Sequence, residues 1–372
     1  MPSFPSRRRI LATSAGAALA VGAMSRTATA APYGGSREET RSLDELYRAA
    51  LAEGGKLKIY AGGDTPTQRD GMKAAFAKDF PEIDLTVVVD YSKYHDVRVD
   101  NQLATDTLVP DVVQLQTLQD FTRWKAQGHL LPYRPAGFSK LYDAFRDPQA
   151  AWTAVGVISF GFMYDVAAAG TDAPRTPQDL LDPRWKGRIA SAYPHDDDAV
   201  LYLFALYVQK YGWEWAARYA AQDVVFGRGS NFPGDNVRSG AKAIGVGGAG
   251  GALGTGPVRW VMPETAPFMA WGQRAAVLKR AANPTAAKLY LNWCLSTARQ
   301  QASFNGWSVR TDVTPPTGLN PVWTYPNANL DGFPKFMADR AGIERWKQTF
   351  ALYFGEVRGE PTPGRPGLHP GA

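Results

Sequence analysis

Four consecutive positions, His195-Asp196-Asp197-Asp198, place one imidazole and three carboxylates side by side. Such a set attracts an ammonium, a thiazolium-like cation or a metal ion and repels an anion. The same residues open a long helical stretch, Asp198 to Ala221, where an aspartate also caps orphan backbone N–H groups and complements the helix dipole. One carboxylate suffices for that task. Adjacent helical positions do not share a face, so one or two of the three are expected to reach a ligand. Tyr60, Tyr91, Tyr193 and Trp271 lie near strand ends or hinges and offer rings that stack on an organic cation, although each also suits core packing. In Ile244-Gly245-Val246-Gly247-Gly248-Ala249-Gly250-Gly251 the glycines suit two roles. Their bare N–H groups form an anion-holding nest, or they let a neighbouring segment approach closely. Backbone contact with ligand is expected at Gly247 and Gly248. No Gly-x-Ser-x-Gly elbow, phosphate-binding lysine loop or His-Glu-x-x-His helix occurs, so neither catalysis nor a cofactor is expected.

Alternating helices and strands must position these groups. Leu43 to Glu53 has helical spacing and stops at Gly54-Gly55. Lys56 to Tyr60 reads as a strand, Gln68 to Phe80 as a helix and Asp84 to Val89 as a strand. Tyr94 to Thr105, Asp111 to Leu115 and Phe121 to Gln127 continue the alternation, which implies a parallel sheet with right-handed crossovers. Val155 to Tyr164 is apolar and rich in strand formers; residues 258–277 form a second extended stretch. Between them, Gly227 to Gly256 is glycine-rich, broken only by the short strand Ala243 to Val246. Pro284 to Thr297 is helical, and residues 314–334 form a Pro/Asn-rich loop. The extended segments near 153–165 and 258–277 suggest two lobes joined by paired hinge strands.

A chain of 372 residues exceeds what one core usually holds. Its net charge of +6 falls to +2 without residues 1–30, which hold Arg7, Arg8, Arg9 and Arg26 and no acid. That balance gives no basic face for nucleic acid. Ser6-Arg7-Arg8-Arg9-Ile10-Leu11 resembles a twin-arginine export motif, and Ala28-Thr29-Ala30 offers a cleavage site before Ala31. The mature protein is expected to be a soluble monomer in the periplasm or outside the cell. The sole cysteine, Cys294, allows no internal disulfide and reads as a buried, inert thiol.

Five segments carry a family resemblance: residues 49–60, Pro110-Asp111-Val112-Val113, Gln127-Gly128-His129-Leu130-Leu131-Pro132-Tyr133, Leu180-Leu181-Asp182-Pro183-Arg184-Trp185-Lys186-Gly187-Arg188-Ile189, and Asn283-Pro284-Thr285-Ala286-Ala287-Lys288. Together they resemble the extracellular solute-binding proteins of ABC importers, in the branch of ferric-iron, thiamine and polyamine receptors. The resemblance implies a two-lobed α/β fold of the type II periplasmic binding proteins, each lobe a mixed or parallel sheet flanked by helices. It places lobe 1 over 42–152, lobe 2 over 153–264, a return to lobe 1 over 265–358, and a loose tail over 359–372. It also implies capture of a small polar solute, expected to be an organic cation, by hinged closure, and delivery to a membrane permease. By this likeness Asp64 stands where ferric relatives carry a histidine, and Gln116 where they carry a glutamate. The tyrosine pair that binds Fe(III) in those relatives is absent from Ile244 to Gly251. A metal site of other composition, from Asp64, His195 and Asp197, remains an alternative, as does a secreted metal-dependent hydrolase.

Overall fold

The computed structural model describes residues 37–251, 256–303 and 305–360. The expected signal segment and the tail beyond residue 360 lie outside the described residues. Helix α1 (Leu43–Glu53) opens on a reciprocal cap in which the Ser42 hydroxyl accepts from Glu45 N–H and the Glu45 carboxylate accepts from Ser42 N–H. It is followed by β1 (Lys56–Gly62), α2 (Asp70–Asp79), β2 (Asp84–Asp90), α3 (Ser92–Thr105), β3 (Val112–Leu115) and α4 (Leu118–Ala126). Next come β4 (Thr153–Asp165), α5 (Val166–Ala169), β5 (Ile189–Ala192), α6 (Asp198–Tyr211), α7 (Trp213–Ala220), β6 (Val225–Gly227), α8 (Asn231–Arg238) and β7 (Ile244–Ala249). The remainder is β8 (Val258–Trp260), β9 (Met269–Val277), α9 (Pro284–Leu295), α10 (Thr297–Gln301), α11 (Gly332–Ala338) and α12 (Arg340–Phe354).

The strands form one mixed sheet in the order β2-β1-β3-β9-β4-β7-β5-β6, with β8 pairing on β4. At one end β1 pairs in parallel with β2 and β3; at the other, β5 pairs in parallel with β6 and β7. The long strands β4 and β9 join these ends by antiparallel pairing from Thr153 opposite Ala275 to Phe160 opposite Met269. The two extended segments expected to run together do so. Parallel strands expose their C-terminal ends together, and the turns after β1, β2, β3, β5 and β6 carry the residues described below.

Each end of the sheet buries its own apolar cluster. Leu57, Ile59, Phe76, Tyr290 and Trp293 pack near β1, while Trp185, Ile189, Phe204, Tyr207 and Phe350 pack near β5. The Asp182-to-Ile189 motif is therefore structural. Asp182 caps a 3-10 turn at Arg184 N–H, Trp185 is buried, and Gly187 takes φ 72. Three other motif segments meet across the chain, where the Asp111 carboxylate accepts from Lys58 N–H and from Asn283 N–H.

Two expectations needed correction. The single helix over Asp198–Ala221 is broken at Gly212, whose φ of 78 turns the chain between α6 and α7. The glycine-rich segment contains helix α8 despite Pro233 and Gly234. Pro233 lies in its first turn, where no helical N–H bond is lost. Glycine also lets α8 lie against β7, since a Cβ on Gly245 would stand 2.8 Å from Pro233 O.

Candidate functional site

A cavity of about 380 Å³ lies at the converging strand ends, a size suited to a small organic solute. After β1 come Gly62, Gly63 and Asp64; after β2, Tyr91, Ser92 and Lys93; after β3, Gln116 and Thr117. The other end of the sheet contributes Asp196, Asp197 and Asp198 after β5, and Gly229, Ser230 and Asn231 after β6. Ile158, Phe160 and Met163 of β4, with Trp271 and Gln273 of β9, form the wall between them.

The carboxylates are already engaged within the chain. Asp64 Oδ2 accepts from Ser230 N–H at 2.7 Å and from Asn231 N–H at 3.2 Å, so a residue from one end of the sheet caps helix α8 from the other. Asp196 receives two parallel bonds from Arg228, each 2.9 Å, and one from Lys93 Nζ at 2.8 Å. Asp197 Oδ1 caps α6 at Ala199 N–H and Val200 N–H. Asp198 pairs with Lys347 of α12 at 3.2 Å. Burial raises the Asp64 carboxyl against the bonds from Ser230 and Asn231. Burial, reinforced by the Asp64 charge, pushes Asp197 up to about 7. Burial alone would raise Asp196 too, but the bonds from Arg228 and the charge of Lys93 outweigh it and hold it low.

The basic groups are less evenly matched. Lys93 is paired with Asp196, and Arg238 with Asp235. Arg69 donates from Nη2 to Gly62 O at 2.6 Å, and its buried Nε has no hydrogen-bond partner among the described residues. Burial lowers its basicity, opposed by the nearby Asp64 carboxylate. Helices α3 and α4 begin at the cavity without a side-chain cap on their first N–H groups. Each leaves a positive dipole end turned to this region.

Of the residues expected to bind ligand, Asp64, Tyr91, Gln116, Asp196, Asp197, Asp198 and Trp271 line the cavity. The structure does not bring the others there. Tyr60 is fully buried, stacked on the His95 ring at 4.6 Å, with its hydroxyl held by Gln102. Tyr193 stacks on Phe226 at 5.3 Å. His195 turns away and bonds Gly355 O at 2.8 Å through Nε2; burial lowers its basicity. Gly247 and Gly248 lie outside the cavity lining and pack closely against neighbouring side chains. A Cβ on Gly247 would stand 2.8 Å from Val200 Cγ1, and one on Gly248 would stand 2.9 Å from the Met163 methyl group. For the metal alternative, His195 does not join Asp64 and Asp197 at the cavity, and the described residues hold no group of three side chains placed to ligate a metal ion. Cys294 is buried, which pushes its thiol up to about 12.

Arg69, Lys93, Ser230, Asn231 and Gln273 were not anticipated. Lys93 was findable, since it opens the helix directly after β2. Ser230 and Asn231 were hidden by the unread helix α8.

Residues 108–229 match the family model described as bacterial extracellular solute-binding protein. The chain is 26% identical over 250 residues to an uncharacterized protein of Haemophilus influenzae, covering 60% of this chain and 71% of that one. Among solved structures, AfuA from Actinobacillus pleuropneumoniae, a periplasmic binding protein with exogenous fructose-6-phosphate bound, superposes with a TM-score of 0.64 at 19% identity. That match covers 81% of this chain and 99% of AfuA. Iron-bound HitA from Pseudomonas aeruginosa superposes with a TM-score of 0.62 at 16% identity, covering 80% of this chain and 99% of HitA. The fold is that of the type II periplasmic binding proteins, and residues 108–229 are similar to the extracellular solute-binding family.

Proposed function

We propose that this chain, with its extracellular solute-binding domain and type II fold, is the receptor of an ABC importer and captures a small organic solute bearing an anionic group. The observation that carries the reading is a contrast in charge. Asp64, Asp196, Asp197 and Asp198 each have a partner within the chain, whereas the Arg69 guanidinium has only a backbone oxygen. A cation entering the cavity would have to displace existing bonds. An oxyanion would supply the acceptor that Arg69 Nε lacks and would meet the uncapped starts of α3 and α4. The organic cation expected from sequence is thereby disfavoured. The sugar phosphate bound to AfuA is a ligand of the charge proposed here.

In this reading residues 42–152 and 265–358 make one lobe and residues 153–264 the other. Ligand contacts from both lobes favour the closed form, and a membrane permease reads that form. Export across the membrane by the twin-arginine leader belongs to the same proposal. A thermal-shift screen of small anions and cations tests it, because a ligand held only by the folded state raises Tm. An anion should stabilise the protein, and Arg69→Gln should abolish that shift. Loss of a charge-assisted bond costs about 1.5–3 kcal/mol, roughly a 10- to 150-fold weaker affinity. Stabilisation by polyamines or metal ions, unaffected by Arg69→Gln, would refute the anionic reading.

A further inference from the structure

On β9, Trp271 and Gln273 alternate in the strand and therefore project from the same face of the sheet, and both line the cavity. Their side chains are almost wholly buried, at 1% and 4% exposure. Yet Trp271 Nε1 and Gln273 Oε1 have no hydrogen-bond partner among the described residues. Leaving one buried donor and one buried acceptor unmatched on the same face costs stability, so such groups usually have a further partner. The surrounding wall offers none, because Ile158, Phe160 and Met163 are apolar. Trp271 is held in place by edge contacts with Phe160 at 5.1 Å and Phe333 at 5.4 Å, which leaves its indole N–H fixed in direction.

We infer that Trp271 and Gln273 read a hydroxyl group on the ligand, which makes the solute a hydroxylated organic anion. A hydroxyl both donates and accepts. It therefore meets the Gln273 amide in either orientation and still accepts from Trp271 Nε1–H. A methylene in the same place would leave both protein groups unmatched and so is rejected, which is the stronger form of selection between similar ligands. The inference rests on the anionic reading above: Arg69 takes the charged end and β9 takes the hydroxyl.

Calorimetric titration with matched pairs tests it. D-gluconate is compared with hexanoate, and fructose 6-phosphate with hexyl phosphate, on the wild-type protein and on Gln273→Leu, Trp271→Phe and Arg69→Gln. At least one hydroxylated anion should bind 10-fold or more tightly than its hydroxyl-free counterpart. That ratio should fall below 3-fold in Gln273→Leu and in Trp271→Phe, while Arg69→Gln weakens both members of the pair. Unliganded Tm shows which variants are folded, and Gln273→Leu, nearly isosteric, carries the test if Trp271→Phe is not. Equal affinity within each pair, or a ratio that persists in Gln273→Leu, overturns the hydroxyl reading and leaves the anionic one standing. Failure of all four anions to bind overturns both.

Discussion

Asp197 shows how position decides the role of a single carboxyl. It caps α6 and lines the cavity, and burial with the nearby Asp64 charge pushes it up to about 7. The folded state therefore holds a proton that the unfolded chain has released between the ordinary carboxyl range and about pH 7. The stability from that proton is complete at low pH and is lost as pH rises through about 7. Asp197→Asn keeps a good helix cap but removes the titration. Across pH 5 to 8, Tm of the wild type should fall relative to Asp197→Asn; parallel curves would show that Asp197 does not titrate there. The capping role was legible in sequence, because an aspartate before an apolar helix has few better uses. The remaining roles were not. Asp196 meets Lys93 and Arg228, and Asp198 meets Lys347, residues remote in the chain whose approach depends on the whole fold. Arg69 was equally hidden, since an arginine is conspicuous only once its missing partner can be seen.

At the scale of elements, periodicity located most helices and strands, and the paired β4 and β9 were read as extended partners. Helix α8 was missed because Pro233 and Gly234 argue against helix locally, while contact with β7 overrides that preference. The same contact explains why Gly245 is small, a role the sequence could not separate from ligand contact. Helix α8 starts at the cavity and is capped from across it by Asp64. Removing that cap in Asp64→Ala should cost about 0.5–2 kcal/mol. Hydrogen exchange should accelerate at the Ser230 and Asn231 amides while α1, with its own cap at Ser42, stays protected. Unchanged exchange at those two amides would mean that the cap contributes nothing in solution.

For the whole molecule, the Asp-Pro-Arg-Trp-Lys-Gly-Arg-Ile motif and its four companions led to the right fold because they build structure: Trp185 fills a core, and Asp111 ties β1 to the segment before α9. Ligand chemistry was less legible, because it depends on which charges the fold leaves over after pairing its own. In the function proposed here, those leftovers select an anion, held between two closing lobes. Native mass spectrometry of the purified protein, mixed with an equimolar pool of hydroxylated carboxylates, sugar phosphates, polyamines, thiamine and divalent metal ions, measures that choice directly. A single 1:1 adduct with the mass of an organic anion is the predicted result. An adduct with a polyamine, thiamine or a metal ion would contradict it.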